Sequence, residues 1–254
     1  MNRIQLWPTT EQRTSFATQV HQAVTQQDQR QAMNYSLFAP LHYEPNYAYP
    51  LLVWLHGPGS DERQMQRVMP LISMRNYVAV APRGTERLGE GSFDWSQSET
   101  QLSIAEQSVY DCIGLAQEKF KIASDRIFLA GYQSGGTAAL QMALTHPEMF
   151  CGALAIGGAV PRGLCSLADL NRARKLPLFM TVGEDATSYR VEQACDDLRL
   201  LHTAGMTVAL RQYPCGDEIV SRMLSDMDRW MMEQVTGAPQ NEEELTYQQL
   251  KNWN

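Results

Sequence analysis

The sequence predicts an α/β fold with a mostly parallel central sheet and helices on both faces. Three observations carry that reading. Short apolar runs at 51–56, 77–82 and 178–183 lack the alternation of a half-exposed strand, as expected of strands covered on both faces. Segments with helical spacing separate these runs, and strand–helix alternation is the pattern of parallel strands joined by crossover helices. The third observation is local. An apolar run at 126–130 enters a tight turn, Gly131-Tyr132-Gln133-Ser134-Gly135-Gly136, and a helix-like run at 137–144 leaves it.

The elements follow in order. Thr9-Thr10 before Glu11, Gln12 and Arg13 marks a helix start, and Phe16, Val20 and Val24 form a narrow stripe on a polar helix. Residues 1–30 are therefore expected to be a helical extension ahead of the main domain at 31–236. Residues 33–38 alternate as a strand, 42–50 form a Tyr/Pro-rich turn, and 51–56 form a buried strand. A helix is expected over 61–74 and a strand over 77–82. Residues 83–98, rich in Gly, Ser and charge and containing Phe93-Asp94-Trp95, are expected to be a long surface loop of the kind that carries function. A long helix over 98–120 places Leu102, Val109, Ile113 and Ala116 near one face, and 124–126 turn into the elbow strand. Buried strands are expected at 152–158 and 178–183. A helix at 189–204 is closed by Gly205. The last strand is expected at 207–213 and the last helix at 218–235. The tail at 237–254 is polar, with Leu245, Tyr247, Leu250 and Trp253 able to dock. No internal repeat is visible.

Bulk composition narrows the function. The 254 residues suit one large α/β domain as well as two small ones, and 44% hydrophobic with 19% charged residues is ordinary for a globular chain. A net charge of −7 argues against a nucleic-acid surface, which needs clustered Lys and Arg. No run approaches the roughly 18 apolar residues of a membrane span. Residues 1–8 lack an apolar core of signal-peptide length, and five cysteines without framework spacing suggest free thiols, so a cytoplasmic location is expected.

The register of the 131–136 turn follows from sterics. Strand and helix nearly touch in a strained elbow of this kind, so the residues two before and two after its tip must be tiny. With Gln133 at the tip the flanks are Gly131 and Gly135, and both fit. With Ser134 at the tip one flank is Tyr132, which does not. The tip is thus an amide, which cannot act as a nucleophile. His56-Gly57-Pro58-Gly59-Ser60 directly follows a buried strand, as an oxyanion loop does. Its backbone N–H groups, with that of Ser134, are expected to face a developing negative charge.

These pieces resemble the phospholipase/carboxylesterase group of small α/β-hydrolases, which includes the acyl-protein thioesterases. The matching segments are Leu55-His56-Gly57-x-Gly59-Ser60, Ala81-Pro82-Arg83-Gly84, Asp94-Trp95, Gly131-Tyr132-x-x-Gly135-Gly136, Gly183-Glu184-Asp185 and Tyr213-Pro214-x-Gly216, spanning about residues 35–235. The resemblance implies an α/β-hydrolase fold, action on carboxylic or thioester bonds, and no metal or organic cofactor. The family's elbow runs G-[FY]-S-Q-G-G; here Gln133 holds the nucleophile position and Ser134 follows it. Asp185 holds the acid position. Where the family has Y-P-x-G-H-E, this chain has Tyr213-Pro214-Cys215-Gly216-Asp217-Glu218, so Asp217 stands in the place of the histidine. A carboxylate beside other acids does not replace an imidazole that takes and returns a proton near pH 7.

His21, His42, His56, His146 and His202 are each expected to be structural or solvated rather than to rescue the chemistry, with His42 in a loop that the sequence does not place, and Cys215 has no histidine placed to activate it. A Gln133–Asp217 hydrogen bond is expected to fill the vacated volume, and repulsion between Asp217 and Asp185 to be relieved by protonation of one of them, by a cation such as Arg190 or by a metal ion, for which the turn plainly supplies few oxygen ligands. The expectation is a pseudoenzyme that binds a small acyl-type ligand or a protein partner; a homodimer stays open. The alternative is an active esterase or thioesterase working through Ser134 with a rearranged triad. If a ligand binds, Phe93, Trp95 and Ala159-Val160-Pro161 are expected to wall an apolar groove.

Overall fold

The computed structural model describes residues 34–96, 98–162 and 171–237. The helix expected over 9–27 and the tail beyond Gly237 lie outside these residues.

Nine strands and five helices of eight residues or more are described. In chain order they are β1 (Tyr35–Phe38), β2 (Tyr49–Leu55), α1 (Gln64–Ile72), β3 (Val78–Pro82), β4 (Glu86–Gly89), β5 (Ser92–Asp94), α2 (Glu99–Lys119), β6 (Ile122–Tyr132), α3 (Ser134–Thr145), β7 (Gly152–Ile156), β8 (Leu178–Gly183), α4 (Val191–Thr203), β9 (Val208–Tyr213) and α5 (Ser221–Thr236). Seven strands form one sheet in the order β1-β3-β2-β6-β7-β8-β9. Only β1 runs antiparallel to its neighbour; every other pair is parallel. The mostly parallel sheet predicted from strand–helix alternation is therefore present.

Burial explains the uniform apolar runs. All seven residues of β2, all five of β3 and β7, and all six of β8 are buried. On one face Leu52, Trp54, Phe128, Ala130, Leu154, Ile156 and Phe179 form a continuous core with α1 and α5. Helix α1 contributes Met65, Val68, Met69 and Ile72, an i, i+3, i+4, i+7 stripe. Helix α5 contributes Met223, Leu224, Met227, Trp230 and Met231. The Trp230 ring lies 5.5 Å from Phe179 and 6.4 Å from Phe128. Helices α2 and α3 cover the other face.

Two stretches differ from the sequence reading. Residues 86–94 are a β-hairpin, β4–β5, not an unstructured loop. It is held by the segment after β2: Gly59 N–H donates to Phe93 O at 3.0 Å, and Phe93 N–H to Ser60 O at 2.9 Å. A long-range partner for the Gly/Ser-rich stretch is what local composition could not reveal. The second is 124–126, which lie inside β6 as an irregularity: between Tyr49 and Leu51 the β6 partner jumps from Ile122 to Ile127. No helix among the described residues is long and apolar enough to cross a membrane.

Candidate functional site

The candidate residues converge at the C-terminal ends of the parallel strands, where open α/β sheets bind ligands. Gln133 stands at the apex between β6 and α3, with φ 48° and ψ −114°, a backbone conformation that side-chain-bearing residues seldom adopt. Its N–H donates to Ile156 O at 2.8 Å, and its carbonyl accepts Thr137 N–H at 2.9 Å. The flanking glycines are required by space. A Cβ at Gly131 would lie 2.3 Å from the carbonyl of Gly135, and a Cβ at Gly135 would lie 2.3 Å from the carbonyl of His56. The close approach thus falls at Gly131 and Gly135, the two flanks of Gln133.

The 56–60 loop is adjacent, but its donors are engaged. Gly57 N–H donates to Gln64 Oε1 at 3.1 Å, which also accepts from Trp54 Nε1 at 3.0 Å. Gly59 N–H goes to Phe93 and Ser60 N–H to Gly57. Pro58 has no N–H at all. The expectation that Gly57 and Pro58 would present donors to a substrate oxygen is therefore corrected. His56 is fully buried. Its Nε2 accepts Gly84 N–H at 2.9 Å, which puts the proton on Nδ1, 2.8 Å from Gly57 O. Burial lowers its pKa, against smaller opposing effects of the Gly57 carbonyl and nearby carboxylates. The ring is a neutral brace between two loops, and Trp95 Nε1 donates to the His56 carbonyl at 2.8 Å.

Asp185 and Asp217 lie in neighbouring turns laced by Asp185 N–H to Cys215 O at 3.0 Å. The Asp185 side chain is exposed. Asp217 does not meet Gln133, contrary to expectation. Its Oδ2 accepts Thr187 Oγ1 at 2.5 Å and Thr187 N–H at 2.9 Å, and its Oδ1 accepts Ser188 N–H at 3.1 Å. These donors, the Thr187 hydroxyl foremost, lower its pKa, so it is a carboxylate at neutral pH. They also replace the cation expected from Arg190, because short-range N–H and O–H groups saturate the acid first. The Tyr132 hydroxyl donates to the Asp217 carbonyl and ties the elbow strand to this turn. Cys215 is buried, and desolvation together with Glu218 and Asp185 raises its pKa, which keeps the thiol protonated. Of the described histidines other than His56, His42 and His202 are exposed, and His146 pairs with Glu106 and Glu148 at the far end of α3.

Ser134, the first residue of α3, has a partner the sequence did not reveal: its Oγ donates to Asp94 Oδ1 at 2.5 Å, and the same oxygen accepts Trp95 N–H. Ser134 also lines a cavity of about 500 Å³ with Trp95, Thr137, Val160, Arg162 and Gln193. Trp95, Ala159, Val160 and Pro161 supply the apolar wall anticipated from the sequence. Phe93 does not join them; its ring carries the Arg83 guanidinium 4.6 Å above it. The wall at 160–162 is held by the buried carboxylate of Asp197. Asp197 accepts Val160 N–H at 2.9 Å, Tyr189 O–H at 3.1 Å and Arg162 Nη2 at 2.9 Å. Sequence reasoning passed over Asp197, since an acid on an amphipathic helix looks solvated. Among the described residues no group of three or more His, Cys, Asp or Glu side chains could hold a metal ion.

A family model described as "Putative esterase" matches residues 27–207. The chain belongs to this esterase family. As an esterase-family chain it is 28% identical over 122 residues to "Putative esterase NocK" of Nocardia uniformis subsp. tsuyamanensis, covering 44% of this chain and 33% of the relative. It is 25% identical over 116 residues to carboxylesterase SOBER1 of Arabidopsis thaliana, covering 45% of this chain and 51% of the relative. The matches therefore span about a third to a half of these relatives' length. The crystal structure of a carboxylesterase from Mesorhizobium loti superposes with a TM-score of 0.65 at 20% identity, over 79% of this chain and 94% of that one. The fold is that of the α/β-hydrolases, as the elbow and the sheet order imply.

Proposed function

We propose that this esterase-family chain is not a serine esterase in turnover but a ligand-binding protein built on the esterase scaffold. The observation that carries the reading is Gln133 at the apex of the elbow, flanked by the glycines that the apex requires. A carboxamide offers no lone pair able to attack an acyl carbon near neutral pH. Three further features support the reading. The 56–60 loop presents no unengaged N–H at residues 57–60, so a tetrahedral oxyanion lacks half of its usual stabilisation. Asp217 is an anion bound to Thr187 and Ser188, unable to shuttle a proton near pH 7. His56, whose carbonyl abuts the elbow at Gly135, has both ring nitrogens engaged. The inherited ligand class is an acyl compound, received in the cavity lined by Trp95, Ser134 and Val160.

The test is hydrolysis of p-nitrophenyl butyrate by purified protein beside a fluorophosphonate label. The expected outcome is no turnover above the buffer rate and no labelled band. A second reading is favoured by one contact, the 2.5 Å hydrogen bond from Ser134 to Asp94; in that reading Ser134 is the nucleophile and Asp94 its carboxylate base. That reading requires ester turnover that disappears in Ser134→Ala; turnover with that pattern overturns the first reading.

A further inference from the structure

The cavity beside the elbow carries a feature that an ester pocket does not need. Its apolar wall is Trp95, Ala159, Val160 and Pro161, and among the described residues one cation, Arg162, is set into its lining. Among the described residues the Arg162 guanidinium is held by one nitrogen, Nη2 on Asp197 Oδ1 at 2.9 Å. Asp197 itself is fully buried and is fixed by Val160 N–H and Tyr189 O–H as well. The arginine is therefore anchored from behind, while Nε and Nη1 have no partner among the described residues, and its side chain is 65% exposed. An arginine fixed at one nitrogen loses less side-chain entropy when it accepts a second anion. Helix α3 adds to the same bias. Its first turn contains no acidic residue, its Gln133 cap makes no side-chain hydrogen bond, and Ser134 and Thr137 from its first turns line the cavity.

Charge sets the limit on the ligand. Asp197 already balances one positive charge, and Asp94 borders the cavity through Ser134. Arg162 opposes a cation and the two carboxylates oppose added negative charge, so the anion that fits carries one charge and sets it directly on the guanidinium, away from Asp94. The apolar wall then requires a hydrocarbon or aromatic body.

We propose that this cavity binds an amphipathic monocarboxylate, its body against Trp95 and Val160–Pro161 and its carboxylate on the Nε and Nη1 side of Arg162. The inference rests on the reading of the chain as a binding protein and names the ligand class of that same cavity. It gives the Ser134 hydroxyl a structural role, closing the elbow onto Asp94 and leaving Arg162 as the head-group donor.

Calorimetric titration of the full chain with octanoate and with octanamide, its uncharged isostere, tests the proposal. Octanoate is expected to bind at least tenfold tighter than octanamide. Arg162→Gln, whose amide can still donate to Asp197, is expected to abolish that preference. Arg162→Lys, which keeps the charge without the planar fork, is expected to retain part of it. Ala159→Trp, which fills the cavity, is expected to remove binding of both probes. Equal binding of acid and amide, or a preference unchanged in Arg162→Gln, overturns the proposal. The two readings fail separately. Ester turnover lost in Ser134→Ala with the octanoate preference intact overturns only the non-catalytic reading; absent turnover with acid and amide binding alike overturns only this one.

Discussion

In the proposed reading Gln133 and Asp217 are two positions where residue chemistry departs from that of an esterase, and restoring them addresses only part of the site. The engaged 56–60 loop is a third departure, and Pro58 is its simplest expression, since proline brings no N–H. Gln133→Ser with Asp217→His is therefore expected to give weak ester turnover. Adding Pro58→Ala is expected to raise kcat by about a hundredfold over the double variant, the scale of one oxyanion donor. Measured p-nitrophenyl butyrate kinetics decide it; equal rates for double and triple variants would show that residue 58 faces elsewhere. His56 gives a second expectation at this scale. Burial lowers its pKa in the folded protein below the 6.5 of an unperturbed imidazole. Between the folded and unfolded pKa values the unfolded chain binds more protons, so this residue's contribution is complete above pH 6.5 and is lost as pH falls below it. The urea midpoint is expected to drop between pH 7.5 and pH 5.5, and to drop less in His56→Gln.

At the scale of elements, the elbow depends on the contact between β6 and α3. Gly131→Ala sets a methyl group 2.3 Å from the Gly135 carbonyl and 2.7 Å from the Gly136 nitrogen. Backbone on both sides leaves no flexible side chain to yield, and the expected loss is about 3 kcal/mol, read from urea unfolding. A loss under about 1 kcal/mol would mean that strand and helix can part. The elbow was legible in the sequence because its requirement is local: two glycines spaced four apart around one position. The β4–β5 hairpin was not, because its holding bonds come from Gly59 and Ser60, more than thirty residues upstream of Phe93. The Ser134–Asp94 bond was hidden for the same reason, although both residues lay within segments that carried the resemblance. Pro58 is the opposite case. Its missing N–H is visible in the sequence, but its weight appears only when Gly57, Gly59 and Ser60 are found engaged as well.

Across the whole molecule, stability rests on the face where α1 and α5 meet the sheet. Trp230 joins Phe128 and Phe179 there, and a Cβ on Gly152 would lie 2.8 Å from its ring, so the indole fills a space shaped for it. Trp230→Ala is expected to cost about 3–5 kcal/mol and to lower the urea midpoint with an unchanged slope. Because Trp230 sits under the sheet, away from the cavity-lining residues, octanoate binding by the folded variant is expected to stay within a factor of two; a larger change would couple core and cavity.

The sequence by itself determined the strand–helix alternation, the parallel sheet and the elbow with Gln133 between its glycines. Each of these depends on a residue's own size, polarity or spacing, which the chain order preserves. Tertiary structure alone decided how polar groups are partnered: Asp217 with Thr187 and Ser188, Ser134 with Asp94, Gly57 with Gln64, and Asp197 with Arg162 and Val160. A hydrogen bond is made with whatever the fold brings within about 3 Å, and that distance is unrelated to separation along the chain.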